Sequence, residues 1–384
     1  MLSQRIRIAI VGVCGTVAAF FMFGGFHAVA ELLGGRTGST DPESAVPKGS
    51  FLVATANLAE LRRSPIHEVL FSDKPETSLL DKKALGIAKL ASACGFDPLA
   101  RVESLAIAVP EEGDKGDLGV ASKINVTRDE LEHCTSSLAA ERGGRAETKE
   151  LHGFGVVEAT PGEASTGKGA KLAYGHGGLL LAGKGTWMDT MLATANDEQP
   201  TYKASEAHTA IRTHLKSLEG FAAPTVVVSA LLPRSLRDRI RSEMAGEAPN
   251  DPAQNIMAGV LGVSGVGAAM RAGASGGSIQ LAGVFVCDSA DACASVEKLV
   301  SKKRFEWSKE LMLRMVGLGP LLDSITVKQD GARLTVTAAA PADQLASVID
   351  RVLRLRAQRR ERPNDAPAIA PRQLRPDEQI PAKP

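Results

Sequence analysis

Between residues 51 and 355 the apolar positions switch repeatedly between the period of two that suits a half-buried strand and the 3.6-residue spacing of one helix face. Phe51 to Ala56 predicts a strand, and Leu58, Leu61, Ile66, Val69 and Leu70 predict an amphipathic helix running past Pro65. Lys82 to Ala93 predicts a second helix, with Ile87, Leu90, Ala91 and Cys94 on one face and Gly95 where a helix end favours positive φ. Val102 to Val109 and Leu118 to Val126 predict a strand pair joined by the charged turn Glu111 to Asp117. Thr127 and Glu130 have the spacing of a capping box, so a helix is expected from there to about Ala140. Gly153 to Ala159, Lys171 to Tyr174 and Leu179 to Ala182 predict strands, and Trp187 to Ala195 a helix.

The second half repeats this order. Thr225 to Leu232 predicts a strand followed by a helix over Arg234 to Met244, and Ala258 to Arg271 with Ser278 to Val286 predicts a hairpin turning at Gly273 to Gly277. Cys287-Asp288-Ser289 caps a helix to about Lys302, Leu322 to Lys328 pairs with Arg333 to Ala338 across Gln329-Asp330-Gly331, and Ala342 to Leu355 closes as a helix. The expected fold is α+β, made of two diverged repeats, residues 48–200 and 201–357, each an antiparallel sheet with helices packed on one face.

Ile8 to Ala30 has no period at all. At about 1.5 Å per helical residue it reaches roughly 34 Å, enough to cross a bilayer core. Arg5 and Arg7 precede it with no acidic residue between, which holds the N-terminus on the cytoplasmic side and exports the rest. Residues 1–30 are therefore a transmembrane anchor or, if cleaved after Ala30 in the small-x-small pattern Ala28-Val29-Ala30, a signal peptide. The expected location is inner-membrane anchored with the globule in the periplasm, or secreted across that membrane after cleavage. Residues 31–47 read as a linker, and 358–384 as a disordered basic, proline-rich tail.

Export changes the meaning of the five cysteines from metal or catalysis toward disulfides. Cys14 lies in the apolar run, which leaves Cys94, Cys134, Cys287 and Cys293. Cys94 and Cys134 fall on the inward faces of separate helices, and closing that loop of about 40 residues would be worth on the order of 4 kcal/mol. Cys287 at a strand end and Cys293 in the next helix turn could close a short loop worth about 2 kcal/mol. A formal charge of +1 and an aromatic content of 4% supply neither the field nor the stacking platforms that nucleic acid needs.

At Cys94-Gly95-Phe96-Asp97-Pro98-Leu99, followed by the strand at Val102 to Val109 and by Cys134 in the helix after a capped strand, the chain resembles a family of bacterial envelope proteins of unknown function. The likeness covers most of residues 48 to 357, and only that motif is specific. It implies an exported α+β globule with a Cys94 to Cys134 bridge and no assigned activity; Cys287 and Cys293 depart from the family pattern.

Candidate chemistry is sparse. Gly273-Ala274-Ser275-Gly276-Gly277 has the letters of a nucleophile elbow, but the elbow needs a strand-to-helix turn and here a strand follows. Gly162 to Lys168 and Gly178 to Lys184 have the glycine and lysine spacing of a phosphate loop, with Gly169 and Gly185 where the magnesium-binding hydroxyl should stand. None of the seven histidines makes the i, i+4 pair that seats a metal on a helix. The carboxylate pairs Glu111-Glu112 and Asp197-Glu198 read as solvated turns, and Leu311, Met312, Met315 and Val316 read as core. No cofactor is expected. The expected function is a non-catalytic envelope protein that binds or supports another envelope component. The alternatives are an exported hydrolase with Ser275 as nucleophile, or a carrier of a small apolar ligand in a cleft between the units.

Overall fold

The structure, a computed structural model, describes residues 40–71, 87–110, 117–141, 144–160, 170–244 and 261–361. The Ile8 to Ala30 run with Cys14, most of the expected linker, the Glu111-Glu112 pair, Gly162 to Lys168 and residues 362–384 lie outside the described residues. Among those described, no helix is long and apolar enough to cross a membrane.

The first half runs β1 (Ser50–Asn57), α1 (Leu58–Leu61), α2 (Pro65–Phe71), α3 (Ile87–Cys94), α4 (Pro98–Arg101), β2 (Val102–Pro110), β3 (Gly119–Ile124), α5 (Arg128–Glu141), β4 (Arg145–Leu151), β5 (Phe154–Thr160), β6 (Ala170–Tyr174), β7 (Leu179–Lys184) and α6 (Gly185–Ala195). The second runs α7 (Glu206–Ser217), β8 (Val226–Leu231), α8 (Arg234–Met244), β9 (Val263–Arg271), β10 (Ser278–Cys287), α9 (Ala290–Lys309), α10 (Leu311–Met315), α11 (Gly319–Ser324), β11 (Thr326–Asp330), β12 (Arg333–Pro341) and α12 (Ala342–Glu361). The α+β class expected from the periodicity is the class observed. Three details differ from expectation. The helix after Ser289 runs on to Lys309, Leu322 belongs to α11 rather than to a strand, and α12 carries the chain to Glu361, beyond the expected start of the tail.

The strands make one antiparallel sheet of twelve, in the order β11-β12-β10-β9-β8-β1-β2-β3-β7-β6-β5-β4, rather than two separate sheets. β1 and β8 join its halves, in register from Leu52 opposite Ala230 to Ala56 opposite Val226. Both strands are buried along most of their length, so each lies between two layers and neither offers a polar edge that would end a sheet. Counting outward, one half reads β8-β9-β10-β12-β11 and the other β1-β2-β3-β7-β6, with the hairpin β4–β5 added at the far edge.

Helices cover both faces, another departure from the expected single layer. On one face α6 brings Met188, Met191 and Leu192 onto Val53, Ala106 and Ala121, and α7 brings Ile211 and Leu215 onto Val227, Ala269 and Val284. On the other, α1 sets Leu58 and Leu61 against Leu52, Ala54 and Val228, and α2 and α12 meet where Ile66 packs with Ile279, Ala342 and Ala346. α7 seats tightly because Gly267 lacks a side chain; a Cβ there would collide with Ile211 and come within 2.9 Å of Val284.

The segment read as linker ends in the core. Asp41 caps a 3-10 turn over Pro42–Ala45, accepting from Glu43 N at 3.0 Å, and Ala45 and Val46 are fully buried. The Tyr202 amide donates to Val46 O at 2.8 Å and Lys48 N to Pro200 O at 3.0 Å, so the chain entering the first half is tied to the chain entering the second. Below this crossing sits a buried polar cluster on α7. His208 Nε2 lies 2.9 Å from Ser50 O and Nδ1 2.9 Å from Ser229 Oγ. A carbonyl only accepts, so Nε2 carries the proton and the serine hydroxyl donates to Nδ1: both ring nitrogens are satisfied by a neutral ring. Arg212 donates to Val53 O, Thr55 Oγ1 and Glu43, and its guanidinium lies 5.1 Å from the Tyr202 ring centroid. The Tyr202 hydroxyl donates to Glu43 at 2.6 Å.

Burial holds His208 below the ordinary histidine range; its bond to Ser50 opposes this and the Arg212 charge adds to it. Burial would raise the Glu43 carboxyl, but the Tyr202 hydroxyl and the Arg212 and Lys203 charges outweigh it and hold it below the carboxylate range. Both groups therefore bind fewer protons folded than unfolded at intermediate pH. The histidine contribution to stability is present above about pH 6.5 and is lost as pH falls through the depressed folded value. His214, also lowered by burial and by Arg333, adds to the same slope. Urea midpoints measured from pH 8 down to pH 5 are expected to fall below about pH 6.5, with a shallower slope in His208→Gln; an unchanged slope in that variant counts against the cluster. Gly267→Ala is expected to lower the unfolding free energy by about 1–3 kcal/mol through overpacking against α7.

Candidate functional site

In the first half the sheet and the helices above it leave a cavity of about 80 Å³. It lies between the β2, β3 and β7 strands and a roof of helices on the face opposite α6 and α7. Leu105 of β2, Val120, Ser122 and Ile124 of β3 and Leu180 of β7 form its floor. Leu58 of α1, Cys94 of α3, Leu99 of α4 and Leu131 and Cys134 of α5 form the roof, closed at one side by Phe96 and Pro98. Ser122 is the only side chain with a polar group in that lining, and its hydroxyl is directed at Leu180 O at 3.5 Å. The volume is roughly three times a water's share of the liquid and about half that of an engineered apolar cavity known to admit benzene.

The Cys94 to Leu99 run builds this roof residue by residue. Gly95 takes φ +73° and ends α3. Asp97 then caps α4, accepting from Leu99 N at 2.9 Å, with Pro98 in the first helical turn where its missing N–H is harmless. Arg62 donates to Leu99 O at 2.8 Å and Val102 O at 2.7 Å, and Arg101 places its guanidinium 5.3 Å from the Phe96 ring centroid. The capping box forms as expected: Thr127 N donates to Glu130 at 2.8 Å and Glu130 N to Thr127 Oγ1 at 3.3 Å. The bond from Thr127 N holds the Glu130 carboxyl below its ordinary range.

All four cysteines singled out from the sequence are paired. Cys94 is bonded to Cys134, joining α3 to α5 above the cavity, and Cys287 to Cys293, joining the end of β10 to the first turn of α9 with Cα atoms 5.6 Å apart.

The other candidates scatter. Ser275 stands on the exposed turn between β9 and β10, where its hydroxyl donates to Asp343 Oδ1 at 3.1 Å while Gly276 N donates to the other carboxylate oxygen at 2.7 Å. That arrangement ties the hairpin to the start of α12, and the carboxylate partner is not the imidazole that activates a serine. Gly178 to Lys184 is strand β7 with its entry turn. Asp197 and Glu198 lie in a turn, Glu198 contacting His152 Nδ1 at 2.7 Å. Among the described residues, no group of three or more His, Cys, Asp or Glu side chains is arranged to hold a metal. The Leu311, Met312 and Met315 group, expected as core, is exposed. The apolar cavity belongs to the first half, not to a cleft between halves. Nothing in the periodicity points to it, because a void is a property of facing surfaces and leaves no mark on either one alone.

No family model matches the chain, and no curated protein matches it. A solved structure titled "Structure of crystal form I of TP0453" is similar over 83% of this chain and 100% of its own, at 12% identity and a TM-score of 0.43. At that level no property of TP0453 is carried to this chain.

Separate removal of the two bridges distinguishes their weights. Cys94→Ser with Cys134→Ser is expected to lower the unfolding free energy by about 4 kcal/mol, and Cys287→Ser with Cys293→Ser by about 2 kcal/mol, because the first closes a much longer loop. Urea denaturation of the two double variants reads this order directly.

Proposed function

We propose that this is a non-catalytic, exported protein of the cell envelope that binds an apolar envelope component, with the cavity under the Cys94–Cys134 bridge as the seat for the end of an acyl chain. The observation that carries the reading is the cavity's lining: apolar throughout except for one serine whose hydroxyl is directed at a backbone carbonyl. Such a surface gains from excluding water around hydrocarbon and offers no acid, base or nucleophile to a reacting group. Two disulfides support an oxidising compartment, which agrees with export by the Ile8 to Ala30 run as an inner-membrane anchor or a signal peptide.

The shared strand order on either side of β1 and β8 supports a diverged duplication, in which the hairpin β4–β5 is an addition to the first copy. On that reading the ligand seat arose in one copy only, since its roof is made by the Cys94 to Leu99 run and the second copy stands α9 over the equivalent strands.

Xenon under pressure, followed by methyl NMR, is expected to shift Leu131, Leu180 and Ile124 in the native protein and to lose that effect in Ser122→Leu, which fills the space. Native mass spectrometry of protein taken from its own membrane is expected to show a retained hydrocarbon-bearing adduct that the same variant lacks. A ligand-free protein whose methyl signals ignore xenon would sink the reading.

A further inference from the structure

Exposed large apolar side chains are concentrated at one place. Phe305 is 59% exposed, Trp307 48%, Leu311 70%, Met312 63% and Met315 66%, while among the described residues only Leu151 and Val352 are otherwise of this kind. All five lie on the elbow formed by the last turns of α9 and by α10. We propose that this elbow is a membrane-docking element that enters the headgroup layer of a bilayer rich in anionic lipid.

Three observations support a lipid surface as the occupant. First, the elbow is built to project and to stay in place. The root of α9 is pinned by the Cys287–Cys293 bridge, by Ser289 capping Ala292 N at 3.2 Å and by Gln329 donating to Ala290 O at 2.8 Å. Cys293 and Val296 are buried there, and the rest of the helix, from Val296 to Lys309, carries the chain about 20 Å to its exposed end. Glu310 takes an extended conformation that breaks the helix, and Arg314 locks the bend by donating to Ser308 O and pairing with Asp323 at 2.8 Å.

Second, the charges fit. Residues 302–315 hold five basic side chains; Lys303 is paired with Glu306 at 2.6 Å and Arg314 with Asp323, which leaves Lys302, Arg304 and Lys309 against Glu310. A basic rim around an apolar tip complements anionic headgroups above hydrocarbon. Lys309 lies with Nζ 3.8 Å from the Phe305 ring centroid, so the cation covers the aromatic until headgroups replace it. Third, the apolar members are those of an interface: Trp and Phe at the depth of the headgroups, Leu311 and Met315 one helical turn apart at the tip. The proposal is independent of the cavity, which lies in the other half of the sheet.

The full chain reconstituted in vesicles tests it, so that the N-terminal run is present in every sample. Trp307 fluorescence is isolated by difference against Trp307→Phe, since Trp187 contributes in both and is half-buried against the core with Nε1 3.3 Å from Ala108 O. With brominated acyl chains as quencher, Trp307 is expected to be quenched about five-fold or more strongly in vesicles of equal parts phosphatidylglycerol and phosphatidylcholine than in phosphatidylcholine alone. Quenching is expected to be lost in Leu311→Ser/Met312→Ser/Met315→Ser, whose melting midpoint stays unchanged because the three residues are exposed. Equal quenching in both lipids, or none in either, overturns the proposal. So does a Trp307 emission shift that appears without lipid and scales with protein concentration, which would assign the elbow to a second copy of the chain.

Discussion

Five residue pairs between β1 and β8 hold the two halves of this protein in one sheet, and the rest of the architecture follows from burying those pairs on both sides. A strand covered on both faces leaves its polar neighbours no water, so each must find a partner inside. The cluster on α7 meets that requirement: His208 spans Ser50 and Ser229 across the junction, and Arg212 gathers Val53, Thr55 and Glu43. Each half contributes to it, Glu43 and β1 from one, α7 and β8 from the other. Removing the first half would leave Arg212 without these three partners and the His208 ring with one of its two bonds.

The same face-by-face logic explains why the two candidate surfaces are where they are. The β2–β3–β7 floor is roofed by α5 together with short helices, α1, α3 and α4, whose ends are set by caps, a left-handed glycine and a disulfide rather than by long apolar stripes. Short helices fixed at their ends cannot slide to fill the space between them, and a void remains under the bridge. In the second half one long helix, α9, stands over the sheet instead. It buries Cys293 and Val296 in its first turns and leaves Phe305 and Trp307 exposed in its last.

Much of this was legible along the chain. Strand and helix assignments over Ser50–Asn57, Arg234–Met244 and Ser278–Cys287 follow from period alone, and the capping box at Thr127 from two residues. Two elements were silent. β4 reads Arg-Ala-Glu-Thr-Lys-Glu-Leu and is exposed along nearly its whole length at the sheet's edge, where no face requires apolar residues. α7 turns His208, Ile211, Arg212 and Leu215 inward, and two polar residues among four conceal its stripe from any count of hydrophobic positions. Conversely, Leu311, Met312 and Met315 have the composition of a core and the exposure of a surface.

By itself the sequence determined the α+β class, the order of most elements and which four cysteines face one another's neighbourhoods, because periodicity, caps and turn residues act within a few positions of chain. Tertiary structure alone decided that the two halves share one sheet, that helices lie on both its faces, that a cavity opens beneath Cys94 and Cys134, and that Leu311, Met312 and Met315 of α10 are exposed. Burial and voids depend on what arrives from distant parts of the chain, and a residue's own neighbours in sequence carry no record of that arrival.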